Sequence, residues 1–228
     1  MTIVDRAGPG RGVGGLRPEQ PSGERLDEAR LLEATRALAA TDRDLAGIVE
    51  RHGPPPLWGR EPGFETLVRI ILEQQISLAS AEAARVRLVG ATGAIDPSAI
   101  ANAGEEALRA AGQTRQKSRY LVGLARDVLD GRLDLDAVAA ADDDDARSQL
   151  IRVVGIGRWT ADIYLLMALG RPDIWPSGDL ALAGSMRRAK SLAALPTGPE
   201  QEVIAETWRP WRAVAARLLW HAYLAGER

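Results

Sequence analysis

The sequence predicts an all-α fold, and three features of the chain support that prediction. Ala, Leu, Arg and Glu dominate from about Leu26 onward, and all four are favourable helix formers. Alternating runs of β-branched residues, which would indicate strands, are missing. Apolar residues recur at the spacing of one buried helix face, as in Phe64, Leu67, Val68, Ile71 and Leu72. Glycine- and proline-rich breakers divide the chain into roughly ten helices joined by short connections.

The composition excludes several classes of protein. Of the 228 residues, 46% are hydrophobic and 26% are charged, as in an ordinary globular chain. Cysteine is absent, which excludes disulfides, thiolate zinc sites and cysteine-ligated iron–sulfur clusters. We find neither a membrane-length apolar run nor the apolar core of a signal peptide, and we expect a cytoplasmic protein, nucleoid-associated if bacterial. The net charge of −2 argues against a uniformly basic DNA-coating protein but allows a local basic face.

A glycine hairpin stands out in the string VVGIGRWTA. Gly155 and Gly157 flank one apolar residue between two predicted helices. Glycine permits a left-handed backbone and a close approach by another group. The N–H groups of such a turn and of the next helix's first turn point outward together, which suits a nucleic-acid phosphate. An ordinary glycine-closed turn between two helices is the alternative explanation of the Gly-x-Gly pair.

A lone carboxylate, Asp179, follows the string PSG on the far side of an apolar stretch. Taken alone, it is typical of an N-cap for a helix over residues 180–188. An N-cap holds its side chain in place, so a capping aspartate can also serve as a catalytic carboxylate.

Five stretches resemble one enzyme superfamily. LIRVVGIGRWTADIYLL is similar to the helix-hairpin-helix motif of the DNA glycosylases named for that hairpin, and RPDIWPSGDLAL is similar to the Gly/Pro-rich loop and aspartate that follow it. FETLVRIILEQQIS, AGQTRQKSRYLVGLA and WRPWRAVAARLLW resemble the paired-glutamine helix, the DNA-inserting loop and the C-terminal helix of the DNA-3-methyladenine glycosylase II branch. The resemblance runs from about residue 50 to the C terminus.

The resemblance implies a reaction. Asp179 would be the catalytic residue of a monofunctional DNA glycosylase, which flips out an alkylated purine of the 3-methyladenine type and hydrolyses its glycosidic bond to leave an abasic site. Strand-nicking relatives carry a Schiff-base lysine at the position of Trp159, and tryptophan has no such amine. The alternatives are a bifunctional glycosylase/lyase for oxidised bases and a non-catalytic helix-hairpin-helix module that binds DNA.

The resemblance also implies an aromatic base pocket, since the face of an aromatic ring attracts a cationic base. It places Trp159 and Trp220 in that pocket. Ile163 stands where relatives often have a tyrosine, with Tyr164 next to it, and we expect both at the pocket. Core packing is the alternative for each aromatic residue.

The expected DNA contacts come from three stretches. Five basic residues and no acidic ones lie between Arg109 and Arg126, which predicts a phosphate-facing patch, with a solvated helix face as the alternative. The resemblance places the wedge that fills the gap left by the flipped base at Arg115. The glutamine pair either lines the DNA side of the cleft or caps backbone groups internally. The expected DNA-binding residues are Gly155, Ile156, Gly157, Thr160, Arg115, Gln113, Lys117, Gln74, Gln75 and Ser77.

The expected arrangement is two helical lobes around an active-site cleft. Residues 26–59 and 170–228 would form one lobe, and residues 60–169 a central bundle ending in the helix-hairpin-helix at about 148–169. Residues 1–25, rich in Gly and Pro, predict a flexible tail. The resemblance implies a structural Na⁺ or K⁺ on the main-chain carbonyls of Ile151, Val153 and Ile156, and no other cofactor. We expect a monomer whose partner is double-stranded DNA with alkylated bases, and no membrane.

Overall fold

The computed structural model describes residues 25–226, and this part of the chain contains helices and no strands, so the all-α prediction is confirmed. The first six helices are α1 (Glu28–Thr41), α2 (Arg43–His52), α3 (Phe64–Glu73), α4 (Leu78–Thr92), α5 (Pro97–Ala110) and α6 (Arg115–Leu129). The next six are α7 (Leu135–Ala140), α8 (Asp143–Ile151), α9 (Arg158–Met167), α10 (Leu180–Ala189), α11 (Gly198–Ala205) and α12 (Arg212–Leu224). A 3₁₀ turn (Glu206–Trp208) precedes α12. The predicted flexible tail lies outside the described residues, except for Arg25.

Aspartates determine where many of these helices begin. The side chains of Asp27, Asp42, Asp96, Asp134 and Asp142 each accept a hydrogen bond from a backbone N–H in the first turn that follows. The first N–H groups of a helix have no intrahelical acceptor, so each such cap contributes about 1 kcal/mol. Asp179 caps α10 in the same way.

The helices pack in two groups that share one continuous apolar core. In the first group α3 packs on α4, α6 and α9, while α5 packs on α4 and α6, and α8 packs on α7 and α9. In the second group α12 packs on α1, α2 and α10. The boundaries drawn at residues 59/60 and 169/170 remain a prediction. No helix within residues 25–226 is both long and apolar enough to cross a membrane.

A buried arginine joins the two groups. Arg217 of α12 is 1% exposed, and its guanidinium donates hydrogen bonds to the carbonyls of Leu57 (2.8 Å), Leu166 (2.9 Å) and Ala213 (3.1 Å). Burial lowers the pKa of Arg217 to about 10. Since one planar group bonds the α2–α3 connector, α9 and its own helix, the relative positions of these three segments are fixed.

Asp42 makes a second long-range connection. Besides capping α2, its carboxylate accepts hydrogen bonds from the Lys190 ammonium (2.6 Å) and the Trp208 indole N–H (2.7 Å). Burial alone would raise the pKa of Asp42, but the hydrogen bonds from Lys190 and Trp208 outweigh it and the pKa is lowered. The carboxylate thereby holds α2 against the end of α10 and the 3₁₀ turn.

Candidate active site

A cleft of about 1250 Å³ opens between the two helix groups. Its walls come from α3, from the connector that precedes α3, from α9, from the start of α10 and from the end of α12. Four residues that the sequence placed at the active site line this cleft together: Trp159, Ile163, Asp179 and Trp220. The fold thus brings together side chains that are up to 61 positions apart in the chain.

The carboxylate of Asp179 is held on both of its oxygens. Oδ1 accepts from the backbone N–H of Leu182 (2.9 Å) and from the Trp220 indole N–H (3.4 Å). Oδ2 accepts from the Trp159 indole N–H (3.0 Å). Hydrogen bonds on both oxygens fix the orientation of the carboxylate. Asp179 is therefore both a helix cap and an oriented carboxylate facing the cleft.

Tyr164 does not line the cleft, contrary to the expectation that it belongs to the base pocket. Its side chain is 1% exposed, and its hydroxyl accepts a hydrogen bond from the backbone N–H of Gly63 at 3.0 Å. Burial raises the pKa of Tyr164. Neighbouring residues on a helix point about 100° apart, so the turn of α9 that aims Ile163 at the cleft aims Tyr164 at the core.

The glycine hairpin connects α8 to α9. Gly155 has a left-handed backbone (φ +100°), and a Cβ added there would lie 2.3 Å from Cγ of Tyr120, so no side chain fits without displacing that ring. Gly157 is different, because its φ is −86° and nothing lies within 4 Å of an added Cβ. It begins α9 without a side-chain cap. The first N–H groups of α9 therefore lack a capping side chain, which is the arrangement that suits an anion.

Gln74 was expected to contact DNA, but its side chain supports the hairpin from within the protein. Its amide Nε2 donates to the carbonyl of Gly155 (3.1 Å) and to Oγ1 of Thr160 (2.9 Å). Thr160, another predicted DNA contact, is itself 3% exposed. Of the two alternatives for the glutamine pair, Gln74 therefore caps backbone groups internally. The prediction that the Gln74 and Thr160 side chains contact DNA is corrected.

Lys117 and Gln113 are also engaged inside the protein. The Lys117 ammonium donates to the carbonyls of Leu72 (2.6 Å) and Gln74 (3.1 Å) at the end of α3, and burial lowers its pKa. The Gln113 amide is buried and donates to the carbonyl of Ala84 (2.9 Å). A cation at a helix C terminus stabilises the helix. Both side chains hold helices together, which corrects their prediction as DNA contacts.

Three other predicted DNA contacts lie at the surface. Arg115 is exposed at the first position of α6. Gln75 is exposed with a left-handed backbone (φ +61°), and Ser77 is exposed, caps α4 and lines the cleft. Between and beside them lie two apolar side chains that the sequence did not single out, Ile76 (42% exposed) and Leu78 (69% exposed). The sequence feature that could have indicated them is the presence of two large apolar residues shortly after the end of α3.

The hairpin carbonyls expected to hold a cation lie at the end of α8 and in the turn. Val153 and Ile156 are buried, and the Val153 carbonyl accepts from the Ile156 N–H at 3.0 Å, which leaves one lone pair of that oxygen for another ligand. Ile151 ends α8, where carbonyls lack intrahelical donors. Carbonyl oxygens suit a hard monovalent ion. Residues 25–226 contain no cluster of three His, Cys, Asp or Glu side chains placed to bind a metal.

The connector between α2 and α3 forms a wall of the cleft that the sequence did not indicate. Trp58, Arg60 and Glu61 belong to it, and α3 adds Glu65 and Glu73. Arg60 forms an ion pair with Glu73 at 3.0 Å. The sequence predicted only that the string HGPPPLWG separates two helices. Its proline- and glycine-rich composition is typical of a turn and does not indicate a site.

Comparisons with known proteins place the chain in a family. The model of the HhH-GPD superfamily base excision DNA repair protein matches residues 68–213. The putative DNA-3-methyladenine glycosylase YfjP of Bacillus subtilis is 27% identical over 186 residues, which cover 78% of this chain and 65% of that protein. The chain spans between 44% and 65% of the length of four curated relatives it matches.

Two solved structures have the same fold. The DNA-3-methyladenine glycosidase of Bacillus halodurans is 28% identical with a TM-score of 0.73, covering 83% of this chain and 88% of that one. The 3-methyladenine DNA glycosylase Mag1 of Schizosaccharomyces pombe, solved with abasic DNA, is 24% identical with a TM-score of 0.74, covering 86% and 98%. Because the family model matches more than half of the chain, the chain belongs to the HhH-GPD superfamily of base excision DNA repair proteins.

Proposed function

We propose that the protein is a monofunctional DNA glycosylase, which hydrolyses the N-glycosidic bond of alkylated purines in double-stranded DNA and leaves an abasic site. The observation that carries the proposal is the Asp179 carboxylate, which faces a tryptophan-lined cleft and accepts an indole N–H on each oxygen. Relatives named as DNA-3-methyladenine glycosylases support the substrate class.

In this reaction the bond between C1′ of the sugar and the purine nitrogen breaks, and its electron pair neutralises the cationic base. Positive charge then develops on C1′ and the ring oxygen. The Asp179 carboxylate stabilises that charge, and a carboxylate fixed in a partly enclosed cleft does so more strongly than one in bulk water. A water molecule adds to C1′ and transfers a proton to the carboxylate. Oδ2 is suited to accept it, because a single donor occupies that oxygen.

The lining of the cleft favours hydrolysis without strand cleavage. None of the described residues that line it is a lysine. Trp159 presents an indole N–H to Asp179 at the position where a strand-nicking enzyme would carry a primary amine. Without an amine in reach of C1′, no Schiff base forms, and the product is an intact strand with an abasic site.

The hairpin and the exposed basic residues are the proposed DNA-binding surface. Gly157 leaves the first turn of α9 without a side-chain cap, so its N–H groups can bind a backbone phosphate. Arg109, Arg115, Arg119 and Arg126 are exposed, and each phosphate that such a residue neutralises adds to the salt dependence of binding. Arg115 remains the proposed wedge for the gap left by the flipped base.

The test uses duplex DNA with a single 7-methylguanine, treated with alkali to cut at abasic sites. Wild-type protein should give strands that break only after alkali, and Asp179→Asn should slow their formation by about 10²–10³-fold. Asparagine also caps helices well, so the variant should fold. Asp27→Asn, the same change at the N-cap of α1, is the matched control and should keep full activity.

The alternative functions give different results in the same experiment. Strand breaks before alkali, together with an enzyme–DNA adduct trapped by borohydride, would identify a glycosylase/lyase. Tight binding without abasic sites would identify a non-catalytic DNA-binding module. Equal activity of Asp179→Asn and wild type would refute the assignment of Asp179.

The cation at the hairpin, the monomeric state and the cytoplasmic location are further parts of the proposal. A monovalent ion on the Ile151, Val153 and Ile156 carbonyls would bridge the hairpin to a DNA phosphate. Replacing K⁺ by tetramethylammonium at constant ionic strength should then weaken duplex binding. Sedimentation equilibrium of the protein tests the monomer.

A further inference from the structure

We propose that Gln201 is a positioning residue for the catalytic carboxylate, because it holds the backbone of the loop that carries Asp179. This inference rests on the proposed function. Gln201 belongs to α11, is not among the residues that line the cleft, and is 2% exposed. Its amide oxygen accepts a hydrogen bond from the backbone N–H of Gly178 at 3.3 Å, one residue before Asp179.

The loop that ends at Asp179 contains one residue that its own contacts do not hold. Gly178 has a left-handed backbone (φ +83°), and nothing lies within 4 Å of a Cβ added to it. Glycine also has the widest conformational freedom of any residue. Within the loop, the Ser177 N–H donates to the Trp175 carbonyl at 2.9 Å. The Asp179 N–H donates to the Pro176 carbonyl at 3.3 Å. Neither bond uses the Gly178 N–H, so the acceptor on α11 determines how that peptide group is oriented.

The Gln201 side chain is itself fixed, which gives its oxygen a defined direction. Its Nε2 donates to the Pro196 carbonyl at 3.1 Å, and this bond is buried. An amide that donates on one side presents its oxygen on the other, where the Gly178 N–H lies. A parallel bond joins the preceding residue to the same helix, since the Ser177 hydroxyl donates to the carbonyl of Gly198 at 3.0 Å. Two successive residues of the loop are thus bonded to α11.

α11 is in turn a fixed support. Its start is closed by a capping box, in which the Thr197 N–H donates to the Glu200 carboxylate at 2.7 Å. Its last residue, Ala205, is fully buried. Glu202 also forms an ion pair with Arg158 of α9 at 3.0 Å, but both side chains are about half exposed, so this pair contributes little. The cap and the buried face therefore hold α11, and the buried Gln201 amide connects it to the loop.

The hydrogen bonds on the Asp179 carboxylate do not replace this connection. The Leu182 N–H belongs to α10, the helix that Asp179 begins, and therefore moves with it. The indole N–H groups of Trp159 and Trp220 bond the carboxylate oxygens and not the loop backbone. A catalytic group that is displaced by about 1 Å can lose about 100-fold in rate. We therefore expect the rate of base excision to depend on the backbone contact as well.

The test removes the acceptor and keeps the rest of the site. Gln201→Met has a side chain of similar length without the amide. Ser177→Ala removes the parallel bond at a half-buried position, so it should disturb the fold least. Thr35→Val is the matched control, because it removes a buried side-chain bond in α1, to the Leu31 carbonyl at 2.7 Å. Thermal melting followed by circular dichroism establishes that each protein is folded at the assay temperature.

The first measurement is single-turnover excision on the 7-methylguanine duplex. Gln201→Met should lower the rate by about ten-fold with unchanged duplex affinity, Ser177→Ala should lower it by a smaller factor, and Thr35→Val should match wild type. If Gln201 acts through Asp179, adding Gln201→Met to Asp179→Asn should lower the rate no further. An additive loss in the double variant, or a loss of duplex affinity with an unchanged rate, would overturn the inference.

The second measurement detects the carboxylate without any reaction. The Trp159 indole N–H donates to Oδ2 of Asp179, and a hydrogen-bonded N–H proton resonates downfield of a free one. Its signal in a ¹H–¹⁵N spectrum is identified by its loss in Trp159→Phe. That signal should move upfield in Gln201→Met and stay in place in Thr35→Val.

The two measurements separate the inference from the proposed function. An unmoved indole signal in Gln201→Met, with abasic sites formed by wild type, means that only the role of Gln201 fails. A signal that moves in Gln201→Met but not in Thr35→Val, without abasic sites from wild type, means that only the proposed reaction fails.

Discussion

Replacing Trp159 by phenylalanine removes one hydrogen bond from Asp179 and keeps an aromatic ring in the cleft. The lost bond is 3.0 Å long and ends on Oδ2, the oxygen with no other donor. Hydrogen bonds to charged groups contribute about 1.5–3 kcal/mol, and each 1.4 kcal/mol changes a rate by about ten-fold. If the bond orients the carboxylate for the transition state, Trp159→Phe should lower the single-turnover rate of base excision by about 10- to 150-fold.

Trp220→Phe is the matched comparison. Its indole N–H lies 3.4 Å from Oδ1, and that oxygen keeps the Leu182 N–H as a second donor. The longer bond is weaker, so the rate should fall by only about 2- to 5-fold. Both variants lose the same part of the indole ring, so their difference isolates the hydrogen bond. Duplex affinity should be unchanged in both, because neither bond contacts the DNA backbone.

The assay is single-turnover excision of 7-methylguanine from a defined duplex, with enzyme in excess and alkali to reveal abasic sites. Excision by Trp159→Phe at the wild-type rate would refute the orienting role of its hydrogen bond. A slower rate for Trp220→Phe than for Trp159→Phe would show that the lengths of the two hydrogen bonds do not determine their effects.

Three further predictions concern stability. Gly155→Ala should lower the free energy of unfolding in urea by about 2–4 kcal/mol, because the backbone there is left-handed and an added Cβ would clash with Tyr120. Gly157 has open space around it, so Gly157→Ala should change this free energy by less than about 0.5 kcal/mol. Arg217→Met leaves three carbonyls without their donor and should cost about 3 kcal/mol or more in the same measurement. Asp42→Asn should destabilise the protein at pH 7 by about 1.5–3 kcal/mol. Because the folded pKa of Asp42 lies below its ordinary value of 3.8, the difference from wild type should persist above pH 3.8 and vanish as the pH falls through the folded pKa.

Each of these stability predictions has a result that contradicts it. A Gly155→Ala variant as stable as wild type would mean that the hairpin does not require glycine at this position. An Arg217→Met variant as stable as wild type would show that water or another group satisfies the three carbonyls. A difference between Asp42→Asn and wild type that grows as the pH falls would refute the direction of the Asp42 pKa shift.

The sequence by itself determined the helical fold and the residue types at the centre of the cleft. Apolar spacing and breakers are local properties, so they predict helices without any knowledge of packing. The string GIGRWTA and the aspartate after PSG identify a hairpin and a carboxylate at its side. The tryptophan at position 159 excludes an amine there whatever the rest of the fold does.

The tertiary structure alone decided which polar side chains face the cleft and which face inward. Gln74, Lys117 and Tyr164 have residue types suited to DNA or base contact, yet each bonds a backbone group on another element. The orientation of a side chain depends on the helix packed against it, and local sequence does not encode that neighbour. Trp58 is the converse case. A connector rich in proline and glycine is typical of a spacer. Its position as a wall of the cleft depends on a hydrogen bond that it accepts from Arg217 and on two that it donates to Met167 and Tyr164.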